Sequence, residues 1–379
     1  MAKIRANTHQ ESAKKVFVQY FSVNEKPLFL NTTIIWSINF TFMRITWLFR
    51  KKRALGNFSI EQSFGEVSKA WPNPSKPKWI EATHFSEGWR NRWKIIQQAR
   101  AINTDILHIT GDIHFAALAW PKWRRNRSKV ILTIHDIGFV HDHKGWKRWL
   151  MKKIWITWPL RCVDQLITVS EATKKAVLRE APWFSAERIT VIPTVVPQHF
   201  HPRLVEPQNS KPVALHIGLA ENKNLRGHAE ALKGLDIHLR IIGEPSRLDH
   251  EMLTKLKIDY STRSKLTDAE MQETYATSDF LLFASTLEGF GMPILEAQMV
   301  GIPVITSDLP PMNEVAGAGG LLVHPKSIPS IREGIEQLLG KHTVQQELIK
   351  KGFKNQSSFC PKRTALELSE LYAELLKKK

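Results

Sequence analysis

Two series of short apolar runs, each run followed by a stretch of helical character, and one proline-rich break between the series limit most strongly what this chain can fold into. In the first series the runs are 43–49, 105–110, 130–135, 165–169 and 189–192, and in the second 212–218, 237–243, 280–284, 303–306 and 320–323. Most are rich in Ile, Leu and Val, the pattern of strands buried on both faces of a parallel sheet. Parallel strands need crossover connections, and the helical stretches between the runs supply them. In the break, Pro193, Pro197, Pro202, Pro207 and Pro212 accumulate and the periodicity fails, as in a linker. The expectation is an α/β chain with an extension over 1–42, a first domain over 43–198, a linker over 199–211, a second domain over 212–355 and a C-terminal helix over 356–379.

A length of 379 residues supports two domains, because a single core stops growing near about 250 to 300 residues. The 42% apolar and 24% charged fractions are those of soluble globular protein and exclude disordered or collagen-like chains. Cys162 and Cys360 lie far apart with no CxxC or His/Cys cluster, so no disulfide framework and no zinc site is expected, and reduced thiols point to the cytoplasm. The first fifteen residues are polar and charged, unlike a signal peptide. Residues 28–42 lack charge, but Asn31, Thr32, Thr33, Ser37, Asn39 and Thr41 interrupt them, and the run falls short of the roughly 20 apolar residues a membrane helix needs. A net charge of +18 attracts nucleic acid, anionic lipid or phosphorylated substrates without choosing among them.

Local signals place several helix ends. Ser170 occupies an N-cap position, and Ser59 with Gln62 spells a capping box. Near the C-terminus Ala365, Leu366, Leu368, Leu371, Tyr372, Leu375 and Leu376 recur at helical spacing, an amphipathic helix that needs an apolar surface to lie on.

The segment from Thr286 to Thr306 carries the chemistry, and reads as strand end, glycine-bearing loop, helix and strand. Pro293 suits the first turn of the helix, so Gly289, Phe290, Gly291 and Met292 form the approach to it, where absent side chains let backbone come close to a ligand. Free N–H groups at that helix end attract an anion. Glu288 in the loop and Glu296, expected in the first helical turn, can border one pocket, and a carboxylate accepting from vicinal hydroxyls is a common way to hold a ribose. Taken alone, Glu296 is better explained by the preference of the first turn for acidic residues, and it is the joint pattern with Glu288 and the glycines that points to a site.

Glu288-Gly-Phe-Gly-Met-Pro-Ile-Leu-Glu296-Ala, followed by Gly301-Ile-Pro-Val-Ile-Thr-Ser and Pro311-Met-Asn-Glu-Val, resembles the family-4 retaining glycosyltransferases of the GT-B fold. Weaker marks agree in order: Thr133-Ile-His-Asp136, Thr168-Val-Ser-Glu171 with Thr173 and Lys174, Val191-Ile-Pro193, Gly218 followed by Lys223-Asn-Leu225, and Ile241-Ile-Gly243. The resemblance, from Met43 to the C-terminus, implies two Rossmann-like domains facing each other across a cleft, the C-terminal helix returning to the first. It implies that Glu296 binds the nucleotide ribose, that Glu288 and His135 lie at the donor sugar, and that Lys223 neutralises the donor diphosphate as its bond to the sugar breaks. The donor implied is a nucleotide diphosphate sugar, with no metal and no other cofactor, and attack from the front face so that the leaving phosphate takes the acceptor's proton. Because such chains usually begin close to their first strand, residues 1–42 are expected to be an extension dispensable for folding and activity, Met43 serving as an alternative start; the strand character of Lys15 to Phe21 leaves an added edge strand as the other reading.

The chain departs from the pattern in two places. No arginine stands before the lysine in Gly218-Leu-Ala-Glu-Asn222, leaving Lys223, backbone amides and Arg226 to meet the diphosphate. The loop from Arg50 to Ser59 has one glycine, Gly56, where a pair is common, and its basic residues suit either solvent or an acceptor phosphate. The acceptor is expected to be a glycan or lipid-linked sugar of cell-envelope polysaccharide. Trp120–Arg127 and Lys144–Trp158 mix tryptophan with basic residues, the composition of a surface that meets anionic membrane, or of core rings beside solvated cations. Rival readings are another GT-B enzyme, such as an epimerase or phosphorylase, and a nucleic-acid-binding protein, for which no recognition motif is present.

Overall fold

The computed structural model describes residues 43–52, 59–72, 76–122, 128–138 and 144–377. The uncharged run at 28–42, the expected extension, Gly56 and Trp123 lie outside the described residues. The strands of the first half are β1 (Ile45–Phe49), β2 (Lys78–Glu81), β3 (Ile106–Ile109), β4 (Lys129–Ile134), β5 (Gln165–Thr168) and β6 (Ile189–Val191). Those of the second are β7 (Val213–Ile217), β8 (His238–Ile242), β9 (Asp259–Arg263), β10 (Phe280–Phe283), β11 (Val304–Ser307) and β12 (Gly320–Val323). They form two six-stranded sheets, ordered β2-β1-β3-β4-β5-β6 and β12-β11-β10-β7-β8-β9. Every pairing is parallel, and helices cover both faces of each sheet. No strand or helix interrupts 192–212, the proline-rich stretch between the sheets.

Every interior strand shows its apolar run in the sequence, as do the edge strands β6 and β12. β1, β3 and β10 are buried at every position. β2 and β9 leave no such run, and each lies at one edge of its sheet. An edge strand buries little, so Lys78 and Glu81 in one, and Asp259 and Arg263 in the other, are tolerated where an inner strand excludes them.

Side-chain alternation along β1 divides the first core: Leu48 joins Ile95, Ala99, Trp155 and Leu160 on one face of the sheet, while Trp47 and Phe49 join Phe64, Leu368 and Tyr372 on the other. The C-terminal helix Pro361–Lys377 therefore crosses back onto the first domain. Tyr372, fully buried, ties it down: the Trp47 indole donates to its hydroxyl at 2.9 Å, and the hydroxyl meets His108 Nδ1 at 2.5 Å. Nε2 of His108 in turn reaches Thr133 Oγ1 at 2.7 Å. Burial holds that histidine down near 3, so it is neutral throughout the working range.

Candidate functional site

In an open parallel sheet, ligands gather beyond the strand C-termini where the strand order reverses. In the second sheet that point lies between β7 and β10. Lys223 comes from the loop after β7, and Glu288 to Gly291 from the loop after β10, so the fold brings the two segments face to face. Lys223 Nζ donates to Glu288 Oε1 at 2.8 Å and stands 4.8 Å from the centre of the Phe283 ring. The side chains are 21% and 11% exposed, which leaves the pair reachable from the cleft.

Backbone detail explains how a lysine is held there. Asn224 takes a left-handed conformation at φ 60° and turns the chain into the helix Leu225–Leu232. Its side-chain amide donates to the carbonyls of Ala284 and Pro325 at 3.0 and 2.8 Å. Asn222 accepts from the Thr286 N–H and donates to the Leu287 carbonyl, so both loops move as one piece. Gly218, at φ 87°, lets the lysine stem pass, since a Cβ there would lie 3.2 Å from Lys223 Cγ and Cε.

Behind the loop, two buried histidines form a chain with one consistent set of protons. The Ala284 N–H donates to His228 Nε2, so His228 carries its proton on Nδ1 and donates to His216 Nδ1 at 2.8 Å, and His216 Nε2–H donates to the Gly218 carbonyl at 2.7 Å. Both are neutral: burial, then the positive charge of Lys223, pulls His216 down to about 4, and burial with the neighbouring ring holds His228 well below its ordinary value. The pair braces β7 against β10 beneath the reactive loops.

Glu296 belongs to the helix Met292–Val300, with Pro293 in the opening turn as expected. It lies in the second turn, not the first, because the helix begins at Met292 and Gly291 is its N-cap at φ 108°. The dipole preference of a first turn therefore does not account for it. What holds it is Tyr275, whose hydroxyl donates to Glu296 Oε2 at 2.6 Å. Partial burial pushes the carboxyl up to about 7, against the opposing pull of the Tyr275 hydrogen bond and the Lys223 charge. Tyr275 has no signal of its own in the sequence, since it is 21 positions away on another helix, Asp268–Ala276. It is fully buried, edge-on to Phe200 at 5.4 Å.

The first domain contributes His135 and Asp136 from the end of β4. His135 Nε2 donates to the Thr110 carbonyl at 2.9 Å, which fixes the ring with Nδ1 as acceptor, and burial lowers its pKa so that it is neutral. Gly289 packs against this turn: a Cβ there would lie 2.8 Å from the His135 carbonyl oxygen and 2.9 Å from Asp136 Cβ. Thr173, beside the N-cap Ser170, has its hydroxyl within 3.5 Å of the His135 carbonyl and 3.4 Å of the Gly289 carbonyl. The glycine is thus required by contact between domains. Phe290 is buried against Phe359 and fixes the loop's other side, and Met292 is partly buried at the helix start.

Other expected residues go elsewhere. Arg226 is 77% exposed and pairs along its helix with Glu230. Arg50, at the end of β1, is largely enclosed and bound to Glu61 at 3.1 Å and Asp112 at 3.6 Å, which offsets its charge. Gln62 reaches Asp268 of the second domain at 3.5 Å. Of the tryptophans in the basic segments, Trp120 and Trp155 are core, whereas Trp146, Trp149 and Trp158 are exposed. Among the described residues no group of three His, Cys, Asp or Glu side chains could hold a metal ion, and no helix is long and apolar enough to cross a membrane.

Comparison with known proteins agrees with the arrangement. The family described as Glycosyltransferase Family 4 matches residues 59–199, and that described as Glycosyl transferases group 1 matches 200–355. O-antigen chain mannosyltransferase B of Escherichia coli is 27% identical over 239 residues, covering 56% of this chain and 61% of its own length, so the match leaves about two fifths of that relative unaligned. The MMP alpha-(1->4)-mannosyltransferase of Mycolicibacterium hassiacum is 22% identical over 310 residues, 75% of this chain and 70% of that one. Among solved structures, Anabaena HepE in complex with UDP and glucose superposes with a TM-score of 0.70 at 16% identity, over 87% of this chain and all of that one, a likeness of fold.

Proposed function

The chain belongs to the group 1, family-4 glycosyltransferases of the GT-B fold, and we propose that it moves a hexose, mannose in the first instance, from a nucleotide diphosphate sugar to a glycan or lipid-linked acceptor with retention of configuration. The observation that carries this reading is the meeting of Lys223, Glu288 and Glu296 at the strand reversal of the second sheet, with Gly289 seated against His135 of the first domain. Mannose is proposed because both curated relatives named above are mannosyltransferases.

Each residue has a role its position suits. Glu296, as the carboxylate, accepts from the two ribose hydroxyls, while Tyr275 donates to its other oxygen and favours the charged form against the burial that raises its pKa. Lys223, relayed away from Glu288, meets the diphosphate with the N–H groups at the Met292 helix end. That countercharge grows in value as the sugar–phosphate bond breaks, and it does the work a divalent metal does in other transferases. His135, neutral, offers Nδ1 as an acceptor to a sugar hydroxyl, and Glu288 borders the same sugar. The acceptor hydroxyl attacks from the face the diphosphate leaves: the new C–O bond forms as the old one breaks, and the proton passes to the departing phosphate oxygen. No side chain is asked to act as nucleophile. A reducing, cytoplasmic setting suits such a donor.

Calorimetric titration of GDP, UDP and ADP and their sugars identifies the donor. At least one must bind, and Glu296→Ala must weaken it by roughly tenfold or more. If none of the nucleotides binds, or the variant binds as tightly as the wild type, the reading is wrong.

A further inference from the structure

The outer layer of the first domain carries a surface that the reactive cleft does not use. The helices Gly88–Ala101 and Gly145–Lys152 cover the same face of the first sheet, since Ile95 and Ala99 of one and Trp155 and Leu160 beyond the other share a single core. Met151 of the second helix packs on that core too, and the Arg92 guanidinium of the first lies 4.5 Å from the centre of the Trp155 ring, in the turn that follows the second. Outward from them point Trp89 and Trp93, 73% and 56% exposed, and Trp146 and Trp149, 70% and 60% exposed. Large rings are rarely left so bare, and four on one face form a patch that wants a partner.

Charge says which partner. Residues 88–101 hold four basic residues and no acidic one, and residues 145–162 hold five and none. Arg148 and Lys152 are offset by Glu180, but Lys153 lies 5.5 Å from the centre of the Trp149 ring, cation beside ring. Tryptophan at the depth of lipid headgroups, with lysine and arginine facing anionic phosphates, is the chemistry of a bilayer interface. A protein partner would ask for a matching acidic and apolar surface, and RNA would ask for rings aligned in a basic groove, whereas these rings stand on the outer sides of two helices.

Position links the patch to the reaction. In a parallel α/β layer a helix begins where its strand ends, at the cleft edge. Trp89 and Trp93 lie in the opening turns of the helix after β2, and Trp146 and Trp149 in those of the helix after β4, whose end carries His135. We propose that this face docks on an anionic bilayer and that the acceptor is a sugar carried on a lipid in that bilayer, presented at the mouth of the cleft. The acceptor class rests on the glycosyl-transfer reading above, and the docking does not.

The test is co-sedimentation of the whole chain with vesicles of phosphatidylglycerol and phosphatidylcholine in equal parts, and with phosphatidylcholine alone. Trp89→Ala, Trp93→Ala, Trp146→Ala and Trp149→Ala are combined in one variant, and UDP and GDP binding is measured beside it. The wild type should partition to the anionic vesicles, more weakly as salt rises. The variant should lose roughly tenfold or more of that partition with its nucleotide affinity unchanged, which also shows that it is folded. Indifference of the wild type to anionic vesicles, or equal partition of the variant, overturns docking. So does a wild-type dimer that the variant abolishes, or tighter binding of single-stranded RNA lost in the variant. Nucleotide binding without vesicle binding defeats docking alone, and vesicle binding without nucleotide binding defeats the transferase reading alone.

Discussion

Replacing Glu296 with Gln should make the protein more stable and less able to hold its donor, both in a pH-dependent way. The carboxyl stands at about 7 in the folded protein against an ordinary 4.5. A raised value means the folded state keeps its proton longer than the unfolded chain does, so Glu296 favours folding at low pH and loses that contribution as pH climbs from near 4.5 to about 7. At about 1.36 kcal/mol per pKa unit the full difference is about 3 kcal/mol, and because solvent reaches this partly buried side chain about 2 kcal/mol is expected. Gln has the same shape, still accepts from the Tyr275 hydroxyl, and never ionises. The variant should therefore exceed the wild type by about 2 kcal/mol at pH 8.5, and by less than about 1 kcal/mol at pH 5. Donor binding runs the other way: wild-type affinity should rise between pH 6 and pH 8 as the carboxylate forms, and the variant should be flat and roughly tenfold or more weaker at pH 8. Urea denaturation and nucleotide titration at the same pH values measure both halves. A variant less stable than wild type at pH 8.5, or a wild-type affinity that does not move with pH, refutes the account of Glu296 as a strained, ribose-holding carboxylate.

Three further expectations follow from the contacts. Lys223→Ala should lower kcat by roughly a hundredfold while KM changes little, because the lysine's charge matters most as the diphosphate departs; steady-state kinetics showing only a raised KM contradicts that. Gly289→Ala should cut turnover roughly tenfold or more with nucleotide affinity nearly kept, since its Cβ would meet the His135 carbonyl at 2.8 Å and force the domains apart; unchanged turnover shows that the contact is dispensable. Tyr372→Phe should cost about 3 kcal/mol in urea denaturation, as Trp47 Nε1 and His108 Nδ1 both lose their buried partner, and a loss under about 0.5 kcal/mol would mean those groups find another.

The sequence by itself determined what depends on local pattern. Inner strands of a parallel sheet must be apolar on both faces, so each inner strand was legible from a short run of Ile, Leu and Val, and the amphipathic repeat from Ala365 to Leu375 announced a helix that needs a surface. The glycines around Phe290 and the proline at 293 fixed a loop and a helix start, because only particular backbone conformations accept them. Tertiary structure decided what depends on distance in space. β2 and β9 pair only because a neighbouring edge is open to them, and their own residues carry no run to betray it. Tyr275 became the partner of Glu296, and Glu288 that of Lys223, through helices and loops that sequence spacing does not bring together. Trp120 and Trp149 look alike in a basic segment, yet one is core and the other faces solvent. A tryptophan's fate is set by whether a second layer covers it, and that follows from how the helices lie on the sheet rather than from the residues beside it in the chain.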